Sequence, residues 1–81
     1  MILDPDPADA YSRVPLPVAH WADRVFDWIE LDPVDPQARR RRFSTGHWAV
    51  TARIVDEDWL VLWQETEDDL AVVVYLGEDL R

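Results

Sequence analysis

Arg39-Arg40-Arg41-Arg42 sets four guanidinium groups side by side, a density of positive charge suited to phosphate oxygens or to the carboxylates of an acidic protein segment. His47 stands five residues further on, after the Ser44-Thr45-Gly46 turn signal, where an imidazole could act as general acid or base on a bound phosphodiester. Arg53 could supply a cation to the same phosphate, so His47 and Arg53 are the candidate catalytic pair, and Arg39 to Arg42 the candidate binding run. Metal-free RNA cleavage also needs a third group at the leaving oxygen, and no residue owns that role. His20 is the only other histidine and the chain has no cysteine, which leaves too few soft ligands for a zinc site and none for a disulfide. No cofactor or metal is expected. Ser44 also completes an Arg-Arg-Phe-Ser pattern of the kind basic-directed kinases read, although turn formation explains it equally well.

The charge around this basic island has the opposite sign. Residues 1–37 hold eight acids against Arg13 and Arg24, residues 38–54 hold five arginines and no acid, and residues 55–81 hold nine acids against Arg81. The net charge is −9, which disfavours RNA or the ribosome as a partner and leaves the arginines open to partial neutralisation by the chain's own carboxylates. All eight basic residues are arginine and asparagine is absent, a composition that GC-rich coding produces, as in a bacterium, its phage or its plasmid.

Eighty-one residues suffice for one small domain, and 48 % hydrophobic residues can build its core. Five Trp, two Tyr and two Phe supply the bulk, each Trp needing a partner for its indole N–H. No apolar run reaches membrane-spanning length and Met1 to Pro7 lacks the pattern of a signal peptide, so a soluble cytoplasmic protein is expected.

Residues 1–15, with Asp4-Pro5-Asp6-Pro7 and Pro15, read as an extended acidic arm whose Tyr11 to Val14 could pair as an edge strand, and residues 16–81 as a single α+β domain. Val18, Trp21, Ala22, Val25, Trp28 and Ile29 recur at helical spacing, which predicts one main amphipathic helix from Pro17 to the Asp32-Pro33 stop. Asp35-Pro36 could open a further short turn through Gln37 and Ala38. The period then becomes two. Trp48, Val50, Ala52 and Ile54 share one face of a first strand, Asp56-Glu57-Asp58 turns the chain into Trp59 to Glu65, and Glu67-Asp68-Asp69 turns it into Leu70 to Gly77. A helix packed on a three- to four-stranded antiparallel meander results. Its last two strands are apolar on both faces, so the face the helix leaves uncovered calls for the arm, a second copy or a protein partner, with Trp59, Trp63 and Val73 marking the expected contact region.

This order of elements resembles the RelE/ParE superfamily of type II toxins over roughly residues 18 to 77, on Arg24-Val25-Phe26-Asp27-Trp28-Ile29-Glu30-Leu31-Asp32-Pro33, Arg41-Arg42-Phe43, Gly46-His47-Trp48, Asp58-Trp59-Leu60-Val61-Leu62-Trp63 and Asp69-Leu70-Ala71-Val72-Val73-Val74-Tyr75-Leu76-Gly77. The resemblance implies helices on one face of an antiparallel sheet and an antitoxin segment that wraps the toxin. It implies either metal-independent cleavage of messenger RNA on the ribosome or inhibition of DNA gyrase. The basic residues that members often carry on the first two meander strands would fall near Thr51 and at Leu60, and Glu78-Asp79-Leu80-Arg81 stands where a catalytic C-terminal residue would be. Efficient ribonuclease activity is therefore not expected, and action by protein binding is. Two other classes fit the composition: an acidic inhibitor whose carboxylates imitate nucleic-acid phosphates, and a structural homodimer that closes its open sheet face on itself.

Overall fold

The computed structural model describes residues 1–33, 38–39, 41–42 and 46–79, and of Arg41 the backbone. Its elements run β1 (Ile2–Leu3), α1 (Pro5–Tyr11), α2 (Leu16–Leu31), β2 (Arg41–Arg42), β3 (Trp48–Ile54), β4 (Glu57–Glu65) and β5 (Ala71–Glu78). The strands form one sheet in the order β1-β5-β4-β3-β2. The fold is α+β with five strands where three to four were expected, and it differs from the expectation in two further ways. The sheet is mixed, since β1 lies parallel to β5 with Ile2 opposite Val72 and Leu3 opposite Val73, while every other pairing is antiparallel. There are also two helices where one was expected.

The second difference has a local cause. Two prolines within three residues suggest a broken chain, but Pro5 and Pro7 both fall in the first turn of α1, where backbone N–H groups have no helical acceptor and proline's preset φ suits the helix. The segment read as an extended arm is thus an edge strand followed by a helix. Tyr11 to Val14 does not pair as a strand: the amides of Arg13 and Val14 both bond the Ala10 carbonyl at 2.9 and 3.0 Å, and the Ser12 hydroxyl donates to the Asp9 carbonyl at 2.7 Å. Pro15 and Pro17 flank the first residue of α2, which ends where the Asp32 amide bonds the Trp28 carbonyl at 2.9 Å.

α2 buries Val18, Trp21, Ala22, Val25, Phe26 and Ile29. Phe26 takes the place expected of Trp28, which is only half-buried, because α1 lies alongside and brings the Tyr11 ring to 6.0 Å from that of Phe26. The Tyr11 hydroxyl also donates to the Asp23 carboxylate at 2.5 Å, a bond that raises the tyrosine pKa because ionisation would forfeit it. Alternation in the meander sends Trp48, Val50, Ala52 and Ile54 of β3 and Trp59, Val61 and Trp63 of β4 to the side that carries the helices. On β5 the buried residues are Ala71, Val73 and Leu76, a spacing that alternation alone cannot produce. A β-bulge explains it: Leu62 pairs with Tyr75 and Trp63 with Val73, so Val74 is the extra residue and the strand changes phase there.

The β3–β4 hairpin turns at Val55-Asp56, one residue earlier than expected, and Glu57 and Asp58 already belong to β4. Both turn residues have positive φ, 50° for Val55 and 66° for Asp56, the signature of the two-residue turn whose twist matches that of the strands. Asp35-Pro36 and Gln37 lie outside the described residues.

Candidate functional site

Three regions hold the chemistry: the arginine island on β2, the sheet face without helices, and the helix-bearing end of the sheet near Trp59. At the island, Trp48 sits between two cations, with the guanidinium carbon of Arg39 at 4.9 Å and that of Arg42 at 4.6 Å from its ring centroid. Arg39 lies also 5.5 Å from the centroid of Trp63, pairs with the Glu65 carboxylate and donates to the Pro33 carbonyl. Below it Trp63 is fully buried, and its indole N–H donates to the buried Ala38 carbonyl at 2.6 Å. Arg39 therefore links Pro33, beyond the end of α2, to the sheet, using cation–π and ion-pair contacts that a freely solvated arginine would not make. Arg42 is exposed, with its guanidinium over the Trp48 ring. Arg40, the Arg41 side chain and Ser44 lie outside the described residues.

His47 and Arg53 are not brought together. His47 directly precedes β3 and Arg53 lies near its far end, roughly 20 Å away at strand rise. The guanidinium of Arg53 instead holds the hairpin, 3.5 Å from the Asp58 carboxylate and 3.3 Å from the Asp56 carbonyl. One phosphodiester cannot span both groups, so the arrangement does not form the catalytic pair that residue type suggested. Among the described residues no three His, Asp or Glu side chains converge to hold a metal ion.

Trp59, Trp63 and Val73, expected to meet a partner, are core residues: Trp63 and Val73 are 0 % and Trp59 is 7 % exposed. The correction follows from phase. Both faces of β4 are apolar, and the helices cover the one that holds these three. The opposite face carries Ala49 and Thr51 on β3, Leu60 and Leu62 on β4, and Val72, Tyr75 and Gly77 on β5, with Ile2 at the β1 edge. Leu62, Val72 and Tyr75 are half-buried there, Ile2 is 47 % exposed, and no described helix covers them. Tyr75 folds back over the sheet and its hydroxyl donates to the Glu78 carbonyl at 2.8 Å. Burial is the main cause of its raised pKa, with Glu78 and Asp79 adding to it. The ring lies over Gly77, where an added Cβ would stand 2.6 Å from the Tyr75 oxygen. A side chain at this position would have to push the Tyr75 ring aside.

No helix among the described residues is long and apolar enough to cross a membrane. Comparison of the chain with protein-family models, with curated proteins and with solved structures finds no match in any of the three.

Proposed function

We propose that this protein acts by binding another protein through the helix-free face of its sheet, as a RelE/ParE-like toxin–antitoxin component or a diverged relative. The observation that carries the reading is the apolar face of Leu62, Val72 and Tyr75, bounded by Ile2, which no described helix covers, both helices packing on the other side. Antiparallel β4 and β5 would show an alternation of apolar and polar residues if this face served only to meet water. The placement of both helices on one side of the sheet also supports the resemblance, in which a wrapping segment covers the toxin. The wide separation of His47 from Arg53 favours binding over catalysis, and the acidic charge favours a protein partner over RNA.

Co-expression with the product of the adjacent gene tests the reading. A complex should form that Leu62→Asp and Val72→Asp each disrupt, with the cooperative thermal transition retained. A complex indifferent to both substitutions, or a strictly monomeric protein that takes no partner, refutes it. Concentration-dependent dimerisation abolished by the same two changes would reassign the face to a second copy.

A further inference from the structure

On the helix-bearing side, two clefts share Pro15 and Trp59 as walls. One, of about 130 Å³, is lined by Pro15, Pro17, Val18, Ile54, Val55, Glu57 and Trp59. The other, of about 450 Å³, runs on between α1 and the end of β5, past Asp6, Asp9, Arg13 and Leu76. Together they make a groove with an aromatic floor and mainly apolar walls.

Its charge is one-sided. Asp6, Asp9 and Glu57 line it against the guanidinium of Arg13, which is already paired with Asp9 at 3.2 Å, and Glu78 follows the lining residue Gly77. Glu78 stands opposite Trp59 in the register, so Glu57, two residues before Trp59, is its diagonal neighbour. The two carboxyl groups share a hydrogen bond, and this bond first, then the charge of Glu78 and slight desolvation, hold Glu57 above the ordinary carboxylate range. No arginine among the described residues pairs with Asp6, Glu57 or Glu78.

The lip of the groove is equally unusual. Val55 is 78 % exposed and Leu16, between the two wall prolines, is 68 % exposed. Val55 also occupies a positive-φ turn position that β-branched residues rarely adopt, and a turn selected for stability alone would carry asparagine or glycine there.

We propose that this groove is a docking site for a cationic peptide segment that carries one apolar anchor residue. The anchor would insert over Trp59 between Pro17 and Val55, and flanking arginine or lysine side chains would meet Glu57 and Glu78 on one side and Asp6 on the other. The complementarity is specific in sign: an anionic or neutral segment would leave the carboxylates unanswered. The site lies on the opposite side of the sheet from Leu62 and Val72, so the two surfaces can be occupied independently.

The test is an NMR titration of the ¹⁵N-labelled full chain with a synthetic peptide of sequence Gly-Ser-Arg-Arg-Leu-Arg-Arg-Ser-Gly, beside controls with Gln for every Arg and with Ser for Leu. Saturable shifts should centre on the Val55 and Glu57 amides and the Trp59 indole, and the affinity should fall several-fold between about 50 and about 300 mM salt. The combined change Glu57→Gln and Glu78→Gln should weaken binding about tenfold. Val55→Asn, which keeps the fold, should weaken it about threefold by removing apolar contact. Equal binding of the Gln peptide, shifts confined to the Leu62 and Val72 face, or absence of saturable shifts would each overturn the proposal. Self-association that disappears both with the glutamate changes and with Arg42→Gln would overturn it in favour of a second copy.

Discussion

Replacing Val55 by asparagine should stabilise the protein, a result contrary to the usual effect of exchanging an apolar residue in a small domain for a polar one. Val55 has φ 50°, where a side chain with a Cβ meets the following carbonyl oxygen at a cost of about 1–2 kcal/mol. Asparagine tolerates this region far better and opens the favoured two-residue hairpin turns. What the substitution forfeits is small. Since Val55 is 78 % exposed, only about a fifth of its side chain is withdrawn from water, which at roughly 1.5 kcal/mol for a fully buried valine amounts to about 0.3 kcal/mol. The balance is a gain of about 1 kcal/mol, and for a domain of this size that raises Tm by roughly 4–8 °C. Thermal melts followed by circular dichroism measure it directly. Val55→Thr is the control, being polar but still β-branched, and should leave Tm near that of the wild type. A Tm that stays level or falls in Val55→Asn, or rises as far in Val55→Thr, refutes the assignment of strain to this turn.

Three further outcomes follow from contacts already described. Gly77→Ala should lower stability by about 1–2 kcal/mol in urea unfolding, because the new methyl displaces the Tyr75 ring from over the strand, and most of the loss should vanish in a Tyr75→Leu background. Trp63→Phe should cost about 1–3 kcal/mol by the same measurement, since the buried Ala38 carbonyl loses its donor and Arg39 loses part of its stacking surface. Glu57 has a raised pKa in the fold, so its contribution to stability is complete below the ordinary glutamate pKa and is lost as pH rises through the raised value. Glu57→Gln should therefore gain Tm on the wild type as pH goes from about 4 to about 7, and parallel pH profiles of the two proteins would contradict the carboxyl pairing.

How much of this was legible in the sequence depended on how many neighbours each feature requires. α2 was legible because the spacing of Val18, Trp21, Val25 and Ile29 is a property of the segment alone, and β3 was legible for the same reason in its alternation from Trp48 to Ile54. α1 was hidden because proline counts as a breaker until its place in the first turn is known. β1 was hidden because two residues carry no period, and only its pairing with Val72 and Val73 makes it a strand. β4 and β5 are visible as strands, yet which of their two apolar faces meets the helices cannot be read from the segments alone, so Trp59, Trp63 and Val73 look like partner contacts until the helices are placed. The Val74 bulge compounds this, since a phase change inside an unbroken apolar run leaves no mark. The arginine run promised an anion site, and Arg39 proved to be spent inside the molecule, on Trp48, Trp63 and Glu65.

The pairing of β1 with β5 bears on the order in which the molecule assembles. Ile2 and Val72 are nearly the full chain apart, while β3, β4 and β5 are joined by hairpins that close over a few residues. Loop-closure entropy makes the distant contact slow and the hairpins fast. The meander should therefore form as the nucleus, and β1, with the helix that follows it, should dock last. During synthesis the consequence is sharper. α2 emerges before β3 and β4, the strands it packs on, so Trp21, Val25 and Ile29 find no sheet to bury them against until the strand ending at Glu65 has left the ribosome. Until then the apolar stripe of α2 stays exposed, which is when a chaperone or a co-translated partner has its widest opportunity to engage it.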